Sequence, residues 1–357
     1  MIFRARTVAE LFDLTIRLYR RRFTQYFIMA AVGLLPGILL SLAASALQGY
    51  MTVSILPGLS DPATLDRNAL ATYQTLNFVS SIAQNLASVL QSALSFGLVV
   101  PLVNVIFLAD LQGESLTLRQ ALGRLRAPAW NLVALFAVLF GLYVVLFIWF
   151  IIPCIGWGTG LPMMVIFGWI SPMAVTVSLV EGRQALPAIK RCWLLVRRRV
   201  WTSVGVIYLI SIFDQLVMAG PLAIVAMFVL IPLQGMGYRD LTDLLPSLAT
   251  GTVGGVLAAA LTSVVVYPVS ILYTSLWYLD LRTRFEGLDL SVRAYQRSGG
   301  SVATALRDAP PELNERFFRN EDMGQFFLMT VALFAIVAAL WGVLYGGILA
   351  LASMFGR

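Results

Sequence analysis

The chain has 357 residues, of which 59% are hydrophobic and only 12% charged, and its mean hydropathy is +0.84. A soluble domain is about half apolar and a quarter charged, so this composition excludes a soluble globular protein and assigns the chain to the membrane class. The net charge of +7 sits on basic residues that border apolar segments, which points to anionic lipid headgroups and away from nucleic acid.

Thr7-Val8-Ala9-Glu10 is a capping-box pattern, and Leu11, Phe12, Ile16, Tyr19 and Phe23 follow at helical spacing. The pattern predicts an amphipathic surface helix with its apolar face in lipid, ending at Arg20, Arg21 and Arg22. A first span is expected over about Tyr26–Gln48, then a polar loop over 50–77 and a second span over about Phe78–Leu108. The outer half of the second span carries Gln84, Asn85, Ser88, Gln91, Ser92 and Ser95, a polar face turned to neighbouring helices or water. Thr117-Leu118-Arg119-Gln120 is a second capping box and opens a second surface helix.

The third span, Trp130–Ile152, is the most lipid-like, and a tight connection over 153–158 leads into the fourth, about Leu161–Val180. A third surface helix follows and ends in Trp193-Leu-Leu-Val-Arg197-Arg198-Arg199-Val-Trp201, which repeats the arrangement of Ile16 to Thr24. The fifth apolar segment, Val200–Leu233, exceeds one perpendicular span, and Gly220-Pro221 is expected to divide it. The sixth, Gly251–Leu279, bears small residues Gly251, Gly255, Ala259 and Ser263 at every fourth position. Residues 291–324 read as a polar cytoplasmic linker, and 325–357 as a seventh span with the stripe Ala338, Gly342, Gly346 and Ala350. Such stripes let helices pack closely, within the chain or in a homo-oligomer.

The fold class expected is therefore an all-α integral membrane protein of about seven transmembrane helices. Three parallel repeats, 1–110, 111–182 and 183–290, each join a basic surface helix to two spans and form a six-span core over 1–290. Phe96-Gly97, Pro101 and Asp110 match Phe167-Gly168, Pro172 and Glu181 at identical spacing, and Pro268 with Asp280 is a looser third copy. The three acids are expected to meet arginines of the surface helices or, equally, to be solvated. With the N-terminus inside, every Lys and Arg except Arg67, Arg239 and Arg357 falls on the inner side, so the N-terminus is expected to be cytoplasmic and the C-terminus external. That topology puts Cys154 outside and Cys192 inside, which leaves no disulfide between them.

The opening Arg6-Thr7-Val8-Ala9-Glu10-Leu11 through Leu18-Tyr19-Arg20-Arg21-Arg22-Phe23, together with Tyr278-Leu-Asp280-Leu-Arg282-Thr-Arg284-Phe-Glu286-Gly-Leu-Asp-Leu290, resembles a family of bacterial multi-span proteins. That family is the membrane domain attached to some glycerophosphoryl diester phosphodiesterases, with its free-standing relatives. The resemblance covers residues 1 to about 290 and implies a polytopic plasma-membrane protein. It brings no catalytic residue, because hydrolysis in the fused proteins belongs to a separate soluble barrel.

Three functions compete. A non-enzymatic scaffold, accessory or lipid-interacting module fits the basic helices, with Arg20, Arg21, Arg22, Arg197, Arg198 and Arg199 as candidate contacts to anionic lipid. A transporter or channel for a small or lipidic solute fits the proline-interrupted spans and one intramembrane acid, Asp214. By helical rise Asp214 lies roughly 20 Å from the inner interface, level with Tyr267 and with Gln91 and Ser95 at similar or greater depth. The equal alternative is a shifted fifth span that puts Asp214 near the outer headgroups, close to Gly220-Pro221. An intramembrane enzyme would need a catalytic constellation, and with no histidine none is legible; no cofactor, metal or nucleic acid is expected.

Overall fold

The computed structural model describes residues 4–54, 67–152, 155–235, 245–308 and 324–332, with a few isolated positions beyond. Every element among them is helical. The order is α1 (Val8–Arg21), α2 (Phe23–Ser54), α3 (Arg67–Leu94), a π turn (Ser95–Val99), α4 (Val100–Leu111), α5 (Leu118–Leu125) and α6 (Ala129–Phe150). Then come α7 (Ile155–Glu181), α8 (Ala185–Val196), a 3-10 turn (Arg197–Arg199), α9 (Val200–Gly235), α10 (Leu245–Glu286), α11 (Leu288–Arg297) and α12 (Val302–Arg307). Six stretches among the described residues are long and apolar enough to cross a membrane: Phe23–Tyr50, Ala71–Leu111, Ala129–Phe150, Pro162–Glu181, Ala185–Val217 and Gly254–Glu286. Among the described residues the chain is all-helical, and these stretches make it a multi-pass membrane protein. The predicted seventh span lies largely outside the described residues, as does Cys154.

Helices α4, α7 and α10 pack on one another and form the centre. Helix α2 lies against α3 and α10, α6 against α7 and α8, and α9 against α10. Both capping boxes form as read: Thr7 and Thr117 each accept the N3 amide while Glu10 and Gln120 return to the cap. That bond to the Thr7 amide holds the Glu10 carboxyl below its ordinary value. A Cβ on Gly37 would lie 2.8 Å from Gln91 Cβ and 3.0 Å from its Cα, so α2 and α3 touch through backbone, while Gly33 one turn earlier faces the Val99 side chain.

Four expectations need correction. Helix α1 does not rest its apolar face on lipid; Leu11, Thr15, Leu18 and Tyr19 are buried against protein, chiefly α10. Pro268 within α10 has no amide to donate, and nearby Tyr19 Oη donates to the Val265 carbonyl at 2.8 Å. Burial pushes the Tyr19 phenol up to about 12, which keeps it a donor. The third basic helix, α8, is no surface helix either, because Ala188, Ile189, Cys192, Trp193 and Leu195 are buried among α6, α7 and α10. Helix α9 runs across Gly220-Pro221 without a break. The expected linker begins as two amphipathic helices, α11 and α12, which bury Leu288, Val292, Ala305 and Leu306. Gly287, at φ +65°, supplies the left-handed turn from α10 into α11.

Candidate functional site: a charged rim above a polar interior

Helices α4, α7 and α10 carry their acids at the same end of the bundle, where a carboxylate opposes the helix dipole and needs a cation. Asp110 is nearly fully buried and accepts from Arg22 Nε at 2.7 Å, with Arg21 at 4.0 Å. The same Arg22 donates to the Glu114 carbonyl at 3.0 Å and so fixes the α1–α2 corner on the loop after α4. Glu181, whose side chain is 0% exposed, accepts from Arg183 Nε at 2.6 Å, Arg191 Nε at 3.3 Å and Tyr278 Oη at 2.5 Å. Arg282 Nε lies 3.7 Å away and also pairs with Glu286 at 3.1 Å, while Arg191 Nη2 reaches Glu286 at 2.6 Å. Asp280 accepts from Arg284 Nε at 2.6 Å and from the Arg6 backbone amide at 2.8 Å.

Arginines do meet Asp110 and Glu181, but only Arg22 comes from the end of a surface helix; Arg191 belongs to the buried helix α8 and Arg183 to the turn before it. Asp280 instead uses an arginine of its own helix plus the chain before α1. Arg282 is the residue the sequence did not single out. Buried at 1% exposure, it ties α10 to Glu181 and donates from Nη1 to the Leu306 carbonyl at 2.8 Å. Its i,i+4 relation to Tyr278 and Glu286 was the available signal.

The six candidate lipid arginines divide. Arg20, Arg21 and Arg198 are exposed, and Arg198 stacks over Phe285 at 5.3 Å. Arg199 is half-buried, Arg22 is taken by Asp110, and Arg197 is turned into the protein at 7% exposure. The two triplets are thus not equivalent: one ends a helix, the other is a 3-10 turn between two continuing helices.

Further inside, Asn104, Thr176 and Ser275 join α4, α7 and α10. Asn104 Oδ1 accepts from Thr176 Oγ1 at 3.0 Å and from Ser275 Oγ at 2.8 Å. In an apolar medium each buried polar group needs such a partner.

Asp214 is half-buried and accepts from Ser270 Oγ, at 3.0 Å and 2.9 Å to its two oxygens. Tyr267 lies one turn earlier on α10. Gln91 is not brought to Asp214; its backbone is held against Gly37. A cavity of about 310 Å³ is lined by Gly168, Trp169, Ser211, Tyr267, Ser270 and Thr274, among others. The indole N–H of Trp169 is buried and has no acceptor among the described residues.

No family model, curated protein or solved structure matches the chain.

Proposed function

We propose that the chain is a non-enzymatic module of a bacterial plasma membrane that gathers anionic lipid of the inner leaflet at its basic end. The observation that carries this reading is the divided use of basic side chains there. Arg22, Arg191, Arg282 and Arg284 are taken up by Asp110, Glu181, Glu286 and Asp280. Arg20, Arg21, Arg119, Arg126, Arg293 and Arg297 stay exposed. The rim holds the bundle together, and the surplus faces outward, where each residue near an anionic surface adds about 1 kcal/mol of attraction.

The same proposal reads α4, α7 and α10 as the return spans of three parallel repeats, with a seventh span after them, the N-terminus cytoplasmic and the C-terminus external. The mutual packing of the three helices and their matching terminal acids support it. The likeness to phosphodiesterase-linked membrane domains belongs to this proposal too. Its motif Tyr278–Leu290 supplies Asp280, Arg282, Arg284 and Glu286 to the rim, which favours an architectural meaning for those residues. Self-association is compatible with Gly255, where an added Cβ would meet nothing within 4 Å.

The test is the lipid that co-purifies. Wild type should carry a larger anionic fraction than its source membrane, and Arg20→Gln/Arg21→Gln/Arg119→Gln/Arg126→Gln should fall to the membrane average. Equal fractions in both proteins would sink the proposal. A second reading, transport of a small or lipidic solute, draws on Asp214, Ser270 and the 310 Å³ cavity. Solute flux in proteoliposomes that Asp214→Asn abolishes would favour it.

A further inference from the structure

An amphipathic groove of about 1110 Å³ lies at the basic end, between α4, α5, α6, the α7–α8 junction and α12. It exceeds the usual small-molecule cleft of about 300–1,000 Å³. We propose that this groove is the binding site of one anionic glycerophospholipid, its phosphate between Arg124 and Arg307 and one acyl chain along α4 and α6. The proposal rests on the reading above that this end meets an anionic leaflet, and it names the site and the ligand class.

The mouth is polar and carries Gln112, Arg124, Gln184 and Arg307. Arg307 is exposed and pairs with no carboxylate among the described residues. Arg124 has a carboxylate partner in Glu114 at 2.5 Å, yet both side chains are 47% exposed. Such a surface pair contributes about 0–1 kcal/mol, so a phosphate can share the guanidinium at little cost. The mouth therefore keeps one uncompensated positive charge, which favours an anionic headgroup over a zwitterionic one. Its position is fixed by the rim: Arg282 Nη1 holds the Leu306 carbonyl at 2.8 Å, and Arg307 is the next residue.

The inner arm is apolar, with Val105 and Leu108 on α4 and Ala134 and Val138 on α6. Val138 lies nine residues into α6, about 13 Å along its axis. The groove opens beside Trp130, which is 83% exposed, as expected of an interfacial tryptophan. Val133 and Phe140 on the same helix are also exposed, so α6 presents a lipid-facing surface next to the arm. Behind it, Asn131 Nδ2 donates to Ser178 Oγ at 2.8 Å and to the Arg183 carbonyl at 2.6 Å, which fastens α6 to α7. A free phosphate would leave the arm empty, and a peptide would bring backbone groups that the arm cannot satisfy. A chain-bearing phosphate matches both ends.

The experiment is native mass spectrometry of the full chain in detergent with phosphatidylglycerol or phosphatidylcholine of identical chains. Wild type should retain one phosphatidylglycerol and at least tenfold less phosphatidylcholine. Arg124→Gln/Arg307→Gln should reduce retention tenfold or more with an unchanged thermal midpoint. Ala134→Trp, which fills the arm and spares the charges, should lose both lipids, whereas Arg20→Gln/Arg21→Gln should retain the phosphatidylglycerol. Retention by the double groove variant equal to wild type would overturn the site. So would displacement by glycerol phosphate at the concentration at which the lipid itself displaces, which would mark a soluble-anion site. If Arg20→Gln/Arg21→Gln also loses the lipid, the groove fails and the general attraction of the proposed function stands. If one lipid is retained while the bulk shows no anionic enrichment, the groove stands and the broader reading fails.

Discussion

Glu181 shows how a single carboxylate can fix three helices. It ends α7, accepts from Arg191 of α8 and Tyr278 of α10, and lies 3.7 Å from Arg282. The group is fully buried, so its charge is tolerated only because these donors and cations replace water. Removing one member of such a cluster leaves the others buried with less compensation, at a cost of about 3–5 kcal/mol. Glu286 still faces Arg191 and Arg282, which puts Glu181→Gln near the lower end of that range. We expect a clearly lowered thermal midpoint for Glu181→Gln in detergent. Asp13→Asn, which removes a pair with Arg17 on the exposed face of α1, should leave the midpoint where it is. Equal midpoints for the two variants would mean that the rim is solvated and contributes little.

At the scale of elements, a close approach of two helices is written in a pair of glycines in the first span. Gly33-Leu-Leu-Pro-Gly37 places two glycines four apart in an apolar span, and both lie where α2 meets α3 and the π turn. The longer small-residue stripe of α10 makes no such contact at Gly255. A stripe records only that close approach is allowed; the facing helix decides whether it occurs. Gly37→Ala should therefore push Gln91 and its backbone away and lower the thermal midpoint, while Gly141→Ala, with open space around it, should match or slightly exceed wild type. An unchanged midpoint for Gly37→Ala would show that α2 and α3 can separate freely. The same distinction separates what was legible from what was not. Spans and capping boxes follow from local hydropathy and from residues three apart. Both capping boxes form as read and six apolar stretches overlap expected spans, although the fifth runs over Ala185–Val217 and the expected seventh lies largely outside the described residues. Whether α8 lies on lipid or in protein depends on helices distant in sequence, and an amphipathic face does not say which apolar partner it will meet. Tyr267 and Ser270 are one turn apart on α10, so a depth estimate alone could not choose which of them meets Asp214. Helices α11 and α12 are not legible in the sequence because only a few apolar residues, Leu288, Val292, Ala305 and Leu306, anchor an otherwise polar stretch.

At the scale of the whole molecule, one end gathers Asp110, Glu181, Asp280 and almost all the arginines, and α11 and α12 dock there as well. Basic segments resist translocation, so this end should be cytoplasmic, and the α6–α7 turn should be outside. Cys192 cannot report on the question, because it is fully buried. Single cysteines placed at exposed positions in a Cys154→Ser/Cys192→Ser background can. Ser115 follows α4, Gln296 sits on α11, and both are exposed at the basic end, whereas Ile151 follows α6 and is 70% exposed at the other. An impermeant maleimide on intact cells should label Ile151→Cys and spare Ser115→Cys and Gln296→Cys until the membrane is permeabilised. The opposite pattern would turn the protein over and place the arginine-lined groove in the outer leaflet. Labelling of Ser115→Cys but not Gln296→Cys in intact cells would put the loop after α4 and helix α11 on opposite sides. The ion pairs that join Arg22 to Asp110 and Arg282 to Glu181 could not then belong to a single rim.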